Sequence, residues 1–204
     1  MNEICLKVLL IGDSSVGKTA LIFKYIDGLF SLNHITTIGV EYRDKKIMIN
    51  EREIKLRIWD TSGQEIYRSL TKNFYRNADA LLFVFDITNE KSFNHINDWM
   101  KDSETIGKDF KKILIGNKSD LIDERKIDKE KIEKYVQLNN MKYFEVSAKS
   151  GKNVDVIFTE IAKLILEGKS EEEIMEQFTN NNFNDSSIIT LDSNKSFKKR
   201  NKCC

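Results

Sequence analysis

The sequence predicts an α/β fold: a six-stranded, mostly parallel sheet with one antiparallel edge strand and helices on both faces. Three observations lead there. Six short β-type runs are spaced along the first 146 residues. Two of them, Val8-Leu9-Leu10-Ile11 and Leu81-Leu82-Phe83-Val84-Phe85, are apolar without interruption, the pattern of central parallel strands buried on both sides. The gaps between runs carry helical periodicity, and strands alternating with helices call for the crossover connections of a parallel sheet.

The first strand, Ile4–Ile11, leads into Gly12-Asp13-Ser14-Ser15-Val16-Gly17-Lys18-Thr19 and then an amphipathic helix. The second and third, Glu41–Ile49 and Glu53–Trp59, read differently. Ile54, Leu56 and Ile58 alternate with Lys55, Arg57 and Trp59, and Asn50-Glu51 separates the two runs. That pattern predicts a hairpin with one wetter face, which places the antiparallel strand at the sheet edge. Ala80–Asp86, Lys112–Gly116 and Tyr143–Val146 complete the six.

Val154, Ile157, Phe158, Ile161, Ala162 and Ile165 recur at steps of three and four, an amphipathic helix that Gly168 ends. Ser170 with Glu173 forms a capping box that opens a short helix to Phe178. After Thr179 the chain turns polar and loses periodicity, apart from Ile188-Ile189-Thr190-Leu191, so residues 180–204 are expected to be a disordered tail behind a domain of residues 1–179.

Composition narrows the function. The 204 residues carry 33 Lys+Arg and 32 Asp+Glu, a net charge of +1, so no basic excess marks a general nucleic-acid binder. Hydrophobic residues at 40% suffice for one sizeable core. Proline is absent, where average usage would supply about ten. Cys5, Cys203 and Cys204 are an odd set with two adjacent members, which fits a reducing compartment better than a disulfide framework. The longest apolar stretch, Ala80–Phe85, is far short of a membrane span, and Met1–Cys5 has no signal-peptide pattern. A cytoplasmic protein is expected.

Gly12–Thr19 fits G-x-x-x-x-G-K-[ST] between a strand and a helix. Glycines let such a loop curl so that successive backbone N–H groups, here from Asp13 through Ala20, point at a polyphosphate with the positive end of the next helix behind them. Lys18 is expected to reach the β- and γ-phosphates, and the Thr19 hydroxyl to coordinate Mg²⁺. Asp60-Thr61-Ser62-Gly63 follows the third strand, at the sheet edge where ligands of parallel sheets gather. Asp60 can hold Mg²⁺ directly or through water, and the Gly63 N–H can meet a γ-phosphate. Asn117-Lys118-Ser119-Asp120 follows the fifth strand. A carboxylate that accepts two hydrogens from one base edge needs a ring N–H beside an exocyclic amine, which guanine has and adenine lacks. Asp120 is that acceptor, and an adenine analogue would leave it unpaired at about 1–3 kcal/mol. Ser147-Ala148-Lys149 after the sixth strand adds a backbone N–H for the guanine oxygen.

With Thr37, these segments resemble those of a Ras-superfamily small GTPase from about Ile4 to Glu167, the G-domain form of the P-loop NTPase fold. Within it the chain resembles the Rab branch. The stretches are Ile38-Gly39-Val40-Glu41-Tyr42, Lys55–Glu65, Phe74-Tyr75-Arg76-Asn77-Ala78, Phe85-Asp86-Ile87-Thr88 and Cys203-Cys204. The resemblance implies slow GTP hydrolysis that switches effector binding in vesicle traffic. Thr37 would join Mg²⁺ and sense the γ-phosphate, Phe30 would lie edge-on against guanine, and Gln64 would orient the attacking water. Tyr42, Trp59 and Phe74, with Ile38, would face effectors. Cys203 and Cys204 would carry two geranylgeranyl groups beside Lys195, Lys198, Lys199, Arg200 and Lys202, giving a lipid anchor on the cytosolic face of a membrane. Implied partners are an exchange factor, an activating protein, a GDP-dissociation inhibitor or escort protein, and effectors, around a monomer without nucleic acid.

Ser62, Ile66-Tyr67 and Asn77 depart from the family pattern in or beside switch II, without removing a ligand. Ser14 stands where the loop faces the catalytic water, and no arginine is placed to act in cis. Two other readings fit part of the pattern: a module of the same fold that holds GTP and barely hydrolyses it, and an unrelated P-loop enzyme such as a small-molecule kinase, against which Asn117–Asp120 argues. His34 and His95 read as surface or loop histidines with no partner, no metal beyond Mg²⁺ is called for, and Cys5 reads as a small buried apolar residue.

Overall fold

A computed structural model of the chain describes residues 4–31, 37, 39–61, 63 and 74–168. In chain order the elements are β1 (Ile4–Ile11), α1 (Lys18–Asp27), β2 (Val40–Ile49), β3 (Arg52–Thr61), β4 (Ala80–Asp86), α2 (Glu90–Asn94), α3 (Ile96–Glu104), β5 (Lys111–Asn117), α4 (Lys129–Leu138), β6 (Lys142–Glu145) and α5 (Val154–Glu167). A short 3₁₀ turn covers Ile122–Glu124. The short helix expected over Ser170–Phe178 and the tail lie outside the described residues.

The strands form one sheet in the order β2-β3-β1-β4-β5-β6, so the two apolar runs do sit at its centre. Among the described residues only β2 and β3 pair antiparallel, with β2 at the edge. Their turn has both central residues left-handed, Asn50 at φ 49° and Glu51 at φ 63°, and Ile49 faces Arg52 across it. This is the mirror-image turn whose twist matches a two-residue hairpin.

Side chains of a strand alternate between faces, and β1 and β4 therefore feed two cores. Leu6, Val8, Leu10, Ala80, Leu82 and Val84 belong to the layer under α1 and α5. Leu9, Ile11, Leu81, Phe83 and Phe85 belong to the layer with Phe93, Ile96, Trp99 and Ile132, which α2, α3 and α4 supply. Helix α5 buries all six of its periodic apolar residues, and Phe158 stacks on Tyr25 of α1 with ring centroids 4.0 Å apart.

Cys5 corrects the sequence reading. It is half-buried, on the face of β1 opposite Ile4 and Leu6, in register with Lys55 and beside Arg57. Burial pushes its thiol up, against the opposing pull of Arg57 and Lys55. The alternation that buries Leu6 and Val8 turns Cys5 outward.

Candidate functional site

The carboxyl ends of β1, β3, β5 and β6 lie along one edge of the sheet, and a cleft of about 490 Å³ opens there. Ser14, Ser15, Gly17, Lys18, Thr19 and Ala20 line it from the loop and α1, and Phe30, Thr37 and Gly63 from the next segments. Asn117, Lys118, Asp120, Ala148 and Lys149 close its far end. Ser31, Thr61 and Leu121 also line it and were not read from sequence. Leu121 follows Asp120 directly, an apolar residue beside a carboxylate. Thr61 and Ser31 carried no signal, because each reaches the cleft only through the path of its neighbours.

The loop after β1 is held from several sides. A Cβ on Gly12 would run into the Val84 carbonyl of the neighbouring strand, so only glycine lets the chain turn there at φ 147°. Gly17 enters α1 left-handed at φ 95°, and neither a capping side chain nor an acidic first turn satisfies the helix N-terminus. Its N–H groups are left for an anion. Lys18, 5% exposed, donates its ammonium to the carbonyl oxygens of Gly12 and Asp13, both at 2.8 Å. Burial pulls the Lys18 pKa down to about 8, while Asp60 and Asp13 pull the other way. Bound polyphosphate would strengthen the charged form further.

Three oxygen-bearing side chains meet beside Lys18. The Thr19 hydroxyl donates to Asp60 Oδ2 at 2.7 Å, and Thr37 Oγ1 lies 2.9 Å from Thr19 Oγ1 and 3.3 Å from Asp60 Oδ2. Asp60 Oδ1 is buried with no hydrogen-bond partner. Burial raises the Asp60 pKa, partly countered by Thr19 and Lys18. A buried carboxylate with a lone oxygen and two hydroxyls beside it is a hard-oxygen donor set, which suits Mg²⁺.

At the other end, Asn117 spends both ends of its amide on the frame. Its Nδ2 donates to the Val16 carbonyl at 2.8 Å, and its Oδ1 accepts from the Ala148 N–H at 3.2 Å. It therefore ties the phosphate loop to the segment after β6. Ser147, fully buried, donates to Asp120 Oδ1 at 2.6 Å and orients that carboxylate from behind. Lys118 sends its ammonium out to Asp86 at 2.6 Å, which leaves the aliphatic stem along the cleft.

Asp13, Val16, Asp60 and Ser147 do not line the cleft; Asp60 meets it through Thr19 and Thr37, which do. Val16 is a core residue that reaches the site through its carbonyl, and Ser147 acts through Asp120. The Asp13 side chain turns away, toward His95 and Trp99. His95, read from sequence as a histidine without a partner, thus has one: its Nδ1 lies 2.7 Å from Asp13 Oδ2. Its 82-residue separation from Asp13 hid the pairing. On the outer face, Trp59 stands between Tyr42 and Phe74 at centroid distances of 4.9 and 5.0 Å, so the three predicted aromatics form one patch. Ile38, Gln64, His34, Ser62, Ile66-Tyr67, Cys203 and Cys204 lie outside the described residues.

A loop with Gly12 and Gly17 between the central strand β1 and α1, with the Asp120 carboxylate across the same cleft, defines a P-loop protein. The sequence model of the Ras family matches residues 7–167. The chain is 43% identical over 161 residues to Ras-related protein Rab-13 of Bos taurus, covering 78% of this chain and 79% of that protein. It is 42% identical to Rab-8B of Homo sapiens over 78% of each chain, and 39% identical to Rab-10 of Diplobatis ommata over 81% of this chain and 83% of that one. The chain belongs to the Ras family, in its Rab branch, and is a Rab-like small GTPase of membrane trafficking.

Proposed function

We propose that the cleft binds GTP and GDP with Mg²⁺ and that this chain hydrolyses GTP slowly, so that the nucleotide state sets which surface it offers to partners. The convergence of Lys18, Thr19, Thr37 and Asp120 on one cleft, with Asp60 bonded to both threonines behind it, carries this reading. Guanine would pair its ring N–H and amine with Asp120, between Phe30 and the stem of Lys118. The polyphosphate would lie on the loop N–H groups and the open end of α1. Thr19, Thr37 and Asp60 would hold Mg²⁺, which when bound supplies charge neutralisation to the phosphates.

Hydrolysis is an in-line attack of water on the γ-phosphorus, with the bond to the β–γ bridging oxygen breaking and GDP and phosphate leaving. Lys18 and the loop N–H groups spread the developing charge, and Gln64 aims the water. Among the described residues no arginine lines the cleft, so hydrolysis by the chain alone would be slow, and an activating protein would raise the rate by about 10³–10⁵-fold. The Thr37 and Gly63 backbones would contact the γ-phosphate only while it exists, so its loss releases the segments that present the Tyr42–Trp59–Phe74 patch.

Exchange factor, activating protein, GDP-dissociation inhibitor and effectors are the partner classes of this cycle. No helix among the described residues is long and apolar enough to cross a membrane. Membrane contact would come from geranylgeranyl groups on Cys203 and Cys204, at the end of the 180–204 tail, with the basic residues near them adding attraction to an anionic leaflet.

The test is nucleotide competition and turnover on the purified full chain. A fluorescent GDP analogue should bind with Mg²⁺, yield to equimolar GTP, and resist a hundredfold excess of ATP. Phosphate release should be slow and should rise with an activating protein for wild type but not for Gln64→Leu. Displacement by ATP as readily as by GTP would overturn the assignment.

A further inference from the structure

The family reading gives no role to the Asp13 side chain, which is in the phosphate loop yet turned out of the cleft. Its carboxylate is held at both oxygens. His95, at the junction of α2 and α3, places Nδ1 2.7 Å from Oδ2, and Trp99 of α3 donates its indole N–H to Oδ1 at 2.9 Å. Trp99 is 3% exposed, so its ring is fixed in the core while its N–H reaches the loop. The Asp13 backbone meets the two elements that the proposed chemistry depends on. Its carbonyl accepts from Lys18 at 2.8 Å, and the Gly63 backbone packs so closely on the Asp13–Ser14 peptide that a Cβ there would collide with it.

We infer that Asp13 is a positioning residue: clamped by His95 and Trp99, it locks the Gly12–Ser14 peptides in the geometry that holds Lys18 and receives Gly63, and so slows nucleotide release. The inference rests on the nucleotide-binding reading above. A carboxylate accepts but cannot donate, so each partner must present an N–H to it. The indole always does. His95 does so through Nδ1–H, which the contact with Asp13 selects. Two donors on this carboxylate would be superfluous for the core, since His95 is half-exposed and packs no apolar layer, but they fix the orientation of the loop at the end of β1.

Because Asn Nδ2 stands at about the same distance from the backbone as His Nδ1, His95→Asn should preserve the clamp, whereas His95→Leu keeps bulk and removes the donor. The experiment measures GDP release from the Mg²⁺-loaded full chain, single-turnover GTP hydrolysis and melting temperature. His95→Leu should release GDP about fivefold faster, the effect of losing one charge-assisted hydrogen bond at a half-exposed site. His95→Asn should stay within twofold of wild type, and Trp99→Phe, which keeps an aromatic ring in the core, should match His95→Leu. Asp13→Ala combined with His95→Leu should release GDP no faster than Asp13→Ala alone, since the two remove one interaction.

A merely structural contact would lower the melting temperature and leave GDP release unchanged. Release from His95→Leu within twofold of wild type, equal acceleration by His95→Asn and His95→Leu, or additive effects in the double variant would each overturn the inference. Wild-type protein that fails to hold GDP with Mg²⁺ would instead overturn the nucleotide reading on which it stands.

Discussion

Asn117 and Val16, separated by 101 residues, are joined by a 2.8 Å hydrogen bond from the Asn117 amide to the Val16 carbonyl, inside the protein. The other end of the same amide accepts from the Ala148 N–H. One side chain thus holds the loop after β1 and the loop after β6 at a fixed distance, which braces the two ends of the cleft against each other.

Asn117→Ala would leave the Val16 carbonyl and the Ala148 N–H buried without partners, at about 1–3 kcal/mol for each group left unsatisfied. Reduced stability should come with nucleotide release at least tenfold faster. Stopped-flow fluorescence on the loaded variant checks the release, and urea denaturation checks the stability.

Gly63→Ala puts a methyl group into the Asp13–Ser14 peptide, whose atoms are backbone and cannot rotate aside. The segment carrying Gly63 must then stand off from the loop. GDP binding should persist within a few-fold, while single-turnover GTP hydrolysis falls at least tenfold. Parallel binding and phosphate-release assays separate the two effects.

Thr19→Asn removes the hydroxyl that donates to Asp60 at 2.7 Å and inserts a bulkier amide among Thr37 and Asp60. Mg²⁺ should bind more weakly, and GTP, with the larger phosphate charge to neutralise, should lose more affinity than GDP. Titrating both nucleotides at several Mg²⁺ concentrations tests the difference, which should narrow once Mg²⁺ is chelated.

Phe158→Ala opens a cavity between α1 and α5, because the ring is fully buried and stacks on Tyr25 at 4.0 Å. The loss should be about 3–5 kcal/mol. Chemical denaturation monitored by far-ultraviolet circular dichroism measures it.

Asp44 gives a pH dependence of definite sign. Burial raises its pKa, but the Arg57 pair at 3.0 Å and Lys55 outweigh that and hold the carboxyl below its ordinary range. A depressed folded-state value contributes stability that is complete above the unfolded value, near 4, and is lost as pH falls through the folded one. The pair is partly exposed, so its contribution should stay within about 1 kcal/mol. Wild type and Asp44→Asn should differ by that amount at pH 7 and converge in acid below the depressed folded-state value.

Much of the fold was legible in the residues. The β1 and β4 runs have the predicted bounds, the Asn50-Glu51 turn closes the predicted hairpin, and the period of Val154–Ile165 marks the buried face of α5. The placing of Gly12–Thr19, Asp60 and Asp120 at or just beyond strand ends was readable too, because it follows from the flanks of each short stretch.

Local pattern therefore settled the strands, the helix faces and the identity of the loops that line the cleft, since backbone propensity and hydrophobic period act over a few residues. Which side chains line the cleft and which brace its frame was settled in three dimensions. Asn117 became a tie, Ser147 a prop for Asp120, and Asp13 the partner of His95 and Trp99. Those hydrogen bonds exist only because packing in the two cores brings α3, β5 and the loop after β6 against the end of β1. A directional bond a few ångströms long depends on where helices land on the sheet, and sequence spacing does not encode that.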